Sequence, residues 1–188
     1  MPGPAPGYPQ FHDFQSAAPV LRTARLILRG HTPADFEACL ALWSDPDVTR
    51  FIGGRPSTGE EVWARLLRYI GHWTAFGHGF WVIEDADDGR FLGELGFADF
   101  HRAIQPSLSG MPEMGWALAP HAHGRGVASE ALGAALAWGD GNLPAPFCCI
   151  ISPENTASIR VAMKAGFEQL ALTTYHDSPT IIFRRERP

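Results

Sequence analysis

Residues 117–132, ALAPHAHGRGVASEAL, decide how this chain is interpreted. A predicted strand at residues 113–118 (EMGWAL) runs into a turn that contains Gly124 and Gly126, and an alanine-rich helix follows at once. The first turn of a helix leaves backbone N–H groups without partners, and the helix dipole adds positive potential there. The stretch therefore predicts an anion site, at which the two glycines let the backbone approach a pyrophosphate closely.

The spacing of these glycines excludes two common phosphate-binding motifs. A P-loop requires the pattern GxxxxGK[ST], and no lysine follows Gly126 at the required position. A dinucleotide-binding fingerprint requires three glycines and a later acidic residue, whereas Ala128 and Ser129 follow Gly126. On the residues alone, a tight turn that binds no ligand remains an open alternative.

Outward from this stretch, the apolar pattern predicts a mixed α/β domain with one central sheet. The predicted strands are residues 25–29, 80–84, 91–100, 113–118, 147–151, 168–175 and 180–184. The predicted helices are residues 33–44, a segment that begins near Thr58, residues 126–139 and residues 156–164. The apolar face of the second helix is predicted to consist of Val62, Leu66, Leu67 and Ile70.

The composition is that of one folded domain. The chain has 188 residues, of which 45% are hydrophobic, and this length and apolar fraction are enough to bury a substantial core. Its formal net charge of -5 disfavours a nucleic-acid partner and suits a cationic substrate. We expect residues 21–188 to form the domain, and residues 1–20, which are rich in Pro and Gly, to form a flexible arm.

Cysteine usage and hydropathy indicate a cytoplasmic protein without a membrane partner. The three cysteines, Cys39, Cys148 and Cys149, form neither a disulfide framework nor a CxxC zinc motif. His121 and His123 lack a third ligand in register, so no metal is expected. The N-terminus lacks the pattern of a secretory signal, and no 18-residue apolar run occurs.

Residues 123–128 (HGRGVA) resemble the acetyl-CoA signature of the GNAT acyltransferase superfamily, with His123 at the position where the family has Gln or Arg. Residues 113–118 and 129–132 (SEAL) are similar to the EIGYWL and TEAL segments of the bacterial ribosomal-protein N-terminal acetyltransferase branch. Residues 153–158 and 164–167 resemble its P-x-N-x-x-S and K-x-G-F patterns. The resemblance covers about residues 21–185.

The resemblance implies a single GNAT-type domain with a mixed, mostly antiparallel central sheet and helices on both faces. It implies that the fourth and fifth predicted strands, residues 113–118 and 147–151, splay apart and that pantetheine inserts between them. Acetyl-CoA is the implied co-substrate. The backbone of Trp116, Ala117 and Leu118 would contact pantetheine, and one of their N–H groups would polarise the thioester carbonyl.

Further cofactor contacts are implied at the glycine loop and at the next helix. The loop residues implied to hold the pyrophosphate are His123, Gly124, Arg125, Gly126, Val127, Ala128 and Ser129. Asn155 resembles the asparagine that touches the cofactor arm. These contacts use backbone amides and one side-chain amide.

The implied chemistry is direct attack of a neutral amine on the thioester, for which a general base is useful. Glu113 is the first choice for this base, and Asp99 and Glu94 are alternatives, although each could be an ordinary strand-end carboxylate. Many relatives carry a tyrosine that protonates the leaving thiolate at the position of Ala162. Ser158, one turn earlier, therefore becomes the candidate acid, with simple helix capping as its alternative.

The resemblance implies an acetyl-CoA-dependent N-acetyltransferase whose acceptor is a protein N-terminal α-amine. A small amine, such as a polyamine, an amino acid or an aminoglycoside, is the second enzymatic possibility. A non-catalytic acyl-CoA-binding module is an alternative of a different class, because Ala162 replaces the usual acid. Monomer and homodimer both remain open.

Overall fold

An eight-stranded sheet organises residues 16–187, the part of the chain that the computed structural model describes. The strands are β1 (Leu21–Arg22), β2 (Leu26–Gly30), β3 (Phe80–Asp85), β4 (Phe91–Ala98), β5 (Glu113–Leu118), β6 (Phe147–Ile151), β7 (Glu168–Tyr175) and β8 (Ser178–Arg185). Their order across the sheet is β1-β2-β3-β4-β5-β6-β8-β7. Only β5 and β6 are parallel neighbours within the described chain, which confirms the mixed, mostly antiparallel sheet. Most of the predicted arm, residues 1–15, lies outside the described residues.

Five helices cover the two faces of this sheet in the described chain. They are α1 (Phe36–Trp43), α2 (Pro46–Thr49), α3 (Gly59–Phe76), α4 (Val127–Asn142) and α5 (Thr156–Lys164). The predicted start of α3 is confirmed, because the side chains of Thr58 and Glu61 each accept a hydrogen bond from the other's backbone N–H. The short α2 was not predicted; Asp45 caps it by accepting from the N–H of Asp47 at 2.8 Å. None of these helices is both long and apolar enough to cross a membrane.

The helices divide between two hydrophobic clusters, one on each face. On the first face, α4 buries Ala131, Leu132 and Ala135 against strand residues such as Leu95 and Phe97. On the second face, α1 and α3 pack against the end of β5, and their cluster is formed by Cys39, Leu42, Trp43, Val48, Val62, Leu66, Ala117 and Ala119. Both faces are therefore covered, as the resemblance implied.

One apolar face was predicted incorrectly in detail. Leu67 is 46% exposed, whereas Val62, Leu66, Tyr69 and Trp73 form the buried stripe of α3. The buried positions follow the helical spacing of three and four residues, and Leu67 lies one position beyond that stripe. The bulky Tyr69 and Trp73 complete the stripe through their buried rings.

The sheet is almost interrupted between β5 and β6. β5 is paired with β4 along its whole length, from Glu113 opposite Ala98 to Leu118 opposite Gly93. Across residues 16–187, its pairing with β6 is confined to Glu113 and Cys148. The two parallel strands diverge beyond that pair, which confirms the predicted splay of residues 113–118 and 147–151.

Candidate functional site

The turn between β5 and α4 presents free backbone donors. Gly124 and Gly126 have φ values of +72° and +77°, a left-handed conformation that side chains with a Cβ rarely adopt. Gly126 caps α4, and the N–H of Glu130 makes the first helical hydrogen bond to the Gly126 carbonyl at 3.1 Å. The amides of residues 127–129 consequently have no acceptor within the helix and are available to an anion.

A cation from the start of the sheet fixes this turn. Arg25 donates from Nε to Glu130 Oε2 at 2.8 Å and from Nη1 to the carbonyl of Arg125 at 3.1 Å. The hydroxyl of Thr23 donates to the other Glu130 oxygen at 2.6 Å. Burial raises the pKa of Glu130, but these hydrogen bonds and the charge of Arg25 outweigh it and hold the pKa below its ordinary value. Sequence reasoning missed Arg25, which lies 100 residues before Arg125.

The two histidines of the turn brace main-chain carbonyls. His121 stands three residues before Gly124, so His121 and not His123 occupies the Gln or Arg position of the family pattern. Its Nε2 donates to the Phe91 carbonyl at 3.1 Å, and Nε2 of His123 donates to the Leu118 carbonyl at 3.0 Å. His123 thus ties the turn to the end of β5, because its ring binds a main-chain carbonyl there.

A cleft of about 330 Å³ lies between α4 and α5 and adjoins the turn at Ser129. Gly133 and Val161 line it from the two helices, and Lys164 lies at its α5 side. No side chain projects from Gly133, which leaves open space above this position of α4. The cleft can therefore take part of an elongated ligand whose phosphates sit at the turn.

The candidate residues of α5 lie on this side of the molecule. Asn155 caps the helix, because its Oδ1 accepts from the backbone N–H of Ser158 at 3.1 Å. Ser158 is partly exposed and contributes only its backbone to that cap, so its hydroxyl is not needed there. Ala162 is completely buried in the core cluster, which leaves no space for the tyrosine that relatives carry.

On the opposite face, Glu113 and Asp99 share a pocket of about 160 Å³. Both Glu113 oxygens accept from Arg102, from Nε at 2.5 Å and from Nη2 at 2.7 Å. Burial raises the pKa of Glu113 above its ordinary value, and the hydrogen bonds and charge of Arg102 offset only part of that effect. Asp99 is more exposed and accepts from the N–H of His101 at 3.1 Å. The structure therefore brings two of the three predicted carboxylates together.

The third carboxylate, Glu94, is inaccessible. It is fully buried and accepts hydrogen bonds from Trp43 Nε1 at 2.9 Å, His31 Nε2 at 3.3 Å and Cys39 Sγ at 3.7 Å. Burial raises the pKa of Glu94, but the hydrogen bond and charge of His31 and the charge of Arg65 lower it below its ordinary value. A fully buried carboxylate cannot reach a substrate amine, so Glu94 instead holds the α1 side of the core together through these hydrogen bonds.

The same cluster contains three residue types that can ligate metals. Ligand atoms of His31, Cys39 and Glu94 lie within 4.8 Å of one another. All three are already joined through the hydrogen bonds to Glu94, and burial raises the pKa of the Cys39 thiol far above its ordinary value. A protonated thiol is not a metal ligand, so the arrangement is that of a satisfied polar network.

Comparison with known proteins gives the family of this fold and site. Residues 25–168 match the model of the acetyltransferase (GNAT) domain family. The uncharacterized N-acetyltransferase YoaA of Bacillus subtilis is 30% identical over 156 residues, which are 80% of this chain and 84% of YoaA. The crystal structure of an acetyltransferase from Agrobacterium tumefaciens is 29% identical, has a TM-score of 0.77, and the match covers 93% of this chain and 98% of that one.

Two more distant structures share the fold but act on different acceptors. RimL, a ribosomal L7/L12 α-N-protein acetyltransferase solved with coenzyme A, is 17% identical with a TM-score of 0.73, and the match covers 89% of this chain and 98% of RimL. The spermidine N-acetyltransferase of Vibrio cholerae, solved with CoA and spermine, is also 17% identical with a TM-score of 0.69; the match covers 88% of this chain and 97% of that one. The fold alone therefore leaves the acceptor open.

Proposed function

Because the chain belongs to the GNAT acetyltransferase family and is an acyltransferase, we propose that it transfers the acetyl group of acetyl-CoA to the α-amine of a peptide or protein N-terminus. The observation that carries this proposal is the splay of β5 from β6: in the described chain the two strands pair only at Glu113 and Cys148 and diverge toward the glycine turn. An open strand edge next to free amides fits a long thioester ligand with phosphates at one end. A small primary amine is the second candidate, since a spermidine acetyltransferase shares the fold.

The residues present fit CoA. The amides of residues 127–129 point at the place where a pyrophosphate would sit, and Arg25 adds a positive charge beside them. A Cβ at Gly126 would meet only Arg25 Nη2, at 3.6 Å, so the front of the turn is otherwise open to a ligand. Asn155 and the cleft between α4 and α5 would hold the rest of the cofactor arm. Bound acetyl-CoA supplies the activated acetyl group.

Two groups on β5 act on the reacting atoms in this proposal. A backbone N–H within residues 116–118 stabilises the negative charge that develops on the thioester oxygen, a contribution of about 2.7–4 kcal/mol per donor. Glu113 accepts the proton that the amine loses, and Asp99 is the alternative acceptor in the same pocket. The raised pKa of Glu113 supports its assignment, because a base whose pKa lies closer to neutrality transfers protons more effectively.

Ser158 is the proposed proton donor to the departing CoA thiolate. Its hydroxyl is free of the helix cap, which uses only the backbone N–H. Ala162 cannot be converted into the tyrosine of relatives without displacing core side chains, because it is fully buried. An Ala162→Tyr substitution is therefore not expected to rescue a Ser158 variant.

The experiment that tests the proposed function measures release of free CoA thiol from acetyl-CoA with a panel of peptides and small amines. We expect release with peptides that have a free N-terminus and none with the same peptides after N-terminal acetylation. Tight binding of acetyl-CoA without release for any amine would support a non-catalytic acyl-CoA-binding module. Faster release with small amines than with every peptide would favour the second candidate.

A further inference from the structure

Two arginines of α3 stack on aromatic rings beside the acceptor face of β5. The Arg65 guanidinium carbon lies 3.8 Å from the ring centroid of Trp43, and its Nη1 donates to the Tyr69 hydroxyl at 3.5 Å. The guanidinium carbon of Arg68 lies 5.7 Å from the Tyr69 ring and 5.5 Å from the Phe100 ring. We call Arg65, Arg68, Tyr69 and Phe100 the arginine patch.

Neither arginine of the patch forms an ion pair within the described chain. Among residues 16–187, Arg65 and Arg68 have no carboxylate within 4.0 Å, whereas Arg102 on the other side of Phe100 is bound by Glu113. Arg65 Nε is buried and has no hydrogen-bond partner there. A buried donor without a partner is costly, so it indicates a place where a ligand supplies the acceptor.

The arginine patch is connected to β5 through Phe80 and to the Glu113 pocket through Phe100. The Tyr69 ring is stacked on the Phe80 ring, with centroids 4.3 Å apart and planes at 4°. Phe80 in turn covers Gly115, where a Cβ would lie 3.0 Å from the Phe80 Cζ. Phe100, which the Arg68 guanidinium contacts, lines the same pocket as Glu113, so the patch borders the space in which the amine would approach the base.

Stacking leaves the in-plane N–H groups of a guanidinium available for an anion. A carboxylate matches this planar set of donors in a bidentate manner, and charge-assisted hydrogen bonds of this kind are about twice as strong as neutral ones. A polyamine would instead place positive charge beside two uncompensated cations, which is unfavourable. The patch is positively charged and therefore favours an anionic group, whereas the net charge of -5 of the whole chain suits a cationic substrate.

We propose that the acceptor is an amine that carries a carboxylate, which Arg65 and Arg68 bind while the amine faces Glu113. The proposal rests on the proposed acetyltransferase function and narrows its acceptor. Two sources supply this chemistry: the α-carboxylate of a free amino acid, and an acidic side chain among the first residues of a peptide. Both place a carboxylate a short distance from a primary α-amine.

The test uses pairs of acceptors that differ only in charge. One pair is a peptide amide with Glu or Gln at its second position, a second pair is an amino acid and its amide, and spermidine is the cationic comparison. We expect kcat/KM at least about tenfold higher for the charged member of one pair, an advantage that declines as salt increases. The preferred pair identifies the source of the carboxylate.

Variants connect that preference to the patch. Arg65→Gln and Arg68→Gln should each raise KM for the carboxylate acceptor while leaving kcat, and KM for the neutral member, nearly unchanged. Arg65→Lys should retain part of the preference, since it keeps the charge and loses the bidentate fork. Arg55→Gln is the matched control, because Arg55 is exposed and paired with Glu61 at the start of α3. Should a variant fail to fold, the charge-matched acceptors with the unmodified protein decide alone.

The outcomes separate the two proposals. Equal kcat/KM within both acceptor pairs, or faster turnover of spermidine, would overturn the carboxylate proposal and leave the acetyltransferase function intact. A preference that survives in both glutamine variants would also overturn it, because the carboxylate would then bind elsewhere. Absence of turnover with every amine would overturn both proposals together.

Discussion

The two sides of β5 present different kinds of groups to the ligands that we propose. On the side of α4, the glycine turn and the helix start offer backbone amides, and the nearby side chains Arg25 and His123 hold main-chain carbonyls. On the side of α3, the groups proposed for recognition are side chains, namely the arginine patch and the pair of Glu113 with Arg102. A backbone site depends on conformation and tolerates substitution of many side chains, whereas a side-chain site is altered by single replacements.

The largest expected effect is a loss of stability on the α3 side of β5. It comes from the buried network around Glu94, which has no part in the proposed chemistry. Replacing Glu94 with Ala removes the acceptor for Trp43, His31 and Cys39, and should lower the free energy of unfolding by about 3–5 kcal/mol. Because the pKa of Glu94 is lowered in the folded protein, its stabilisation is present above its ordinary pKa and is lost as pH falls through the folded value. Denaturant unfolding at several pH values measures both effects.

Glu60→Ala is the control for this variant, because Glu60 is an exposed carboxylate in the first turn of α3. It should change stability by less than about 0.5 kcal/mol. Equal stability of the Glu94→Ala protein and the unmodified protein would show that the buried network contributes nothing to the fold.

The second-largest effect is expected on turnover, when the proposed general base on the α3 side of β5 is replaced. Glu113→Gln should lower kcat by about 10² and leave CoA affinity nearly unchanged, as expected for loss of a general base. In the unmodified protein, kcat/KM should rise with pH through the raised pKa of Glu113, since the base acts only when deprotonated. A pH–rate profile of both proteins measures this: the rise at the Glu113 pKa should be absent from the variant, whereas the rise from deprotonation of the substrate amine should remain in both proteins.

Asp99→Asn is the matched comparison, because Asp99 lines the same pocket. If Asp99→Asn abolishes turnover and Glu113→Gln does not, the base is Asp99. Loss of CoA affinity in Glu113→Gln would instead show that Glu113 also affects the cofactor site on the α4 side of β5.

The third effect is expected on CoA affinity, when a bulky residue is placed in the glycine turn on the α4 side of β5. Gly126→Val should weaken CoA binding at least about tenfold, because the side chain would stand in front of the free amides and the φ of +77° disfavours a β-branched residue. Isothermal titration calorimetry with CoA measures the affinity. Gly89→Val is a matched control in the turn between β3 and β4, where φ is +71° and no atom lies within 4 Å of an added Cβ.

Both valine variants should lose a similar amount of stability, about 1–2 kcal/mol for the left-handed backbone. Only Gly126→Val should lose CoA affinity. Unchanged affinity in a folded Gly126→Val protein would remove the glycine turn from the cofactor site.

The smallest effect is expected at Ser158. Ser158→Ala should slow acetyl transfer severalfold, and the defect should shrink with a thioester whose thiol has a lower pKa, because that leaving group needs less protonation. Single-turnover assays with the two acyl donors measure it, and Thr156→Ala at the exposed start of α5 serves as the control. An equal defect with both donors would make Ser158 a cofactor contact.

The sequence indicates the candidate groups on the α4 side more directly than those on the α3 side, for a physical reason. Gly124 and Gly126 act through local conformation, so their spacing within one short stretch indicates the site. Trp43, Arg65 and Phe100 come from three separate segments, and a cation stacked on a ring requires no fixed spacing in sequence. The same reason explains why Arg25 was missed, since tertiary packing alone brings it to the turn.

Prediction from the sequence was similarly limited for the buried face of α3 and for the short strand β1. The stripe of α3 was predicted correctly at Val62 and Leu66, but Leu67 and Ile70 were predicted in place of Tyr69 and Trp73, because hydropathy alone does not identify which rings complete a packed surface. β1 comprises only Leu21 and Arg22 and forms by pairing with β2, so it has no periodicity of its own to detect.

The near-interruption between β5 and β6 divides the sheet into two parts. Within the described chain, β1–β5 and β6–β8 share the pair Glu113–Cys148 and the core beneath α4, so opening at this seam should cost less free energy than global unfolding. Amide protons along the seam should therefore exchange with solvent faster than those between β4 and β5. A ligand that occupies the gap at a hundred times its Kd adds about 2.7 kcal/mol to the stability of the closed form. Hydrogen–deuterium exchange would then report cofactor occupancy as slower exchange along this seam.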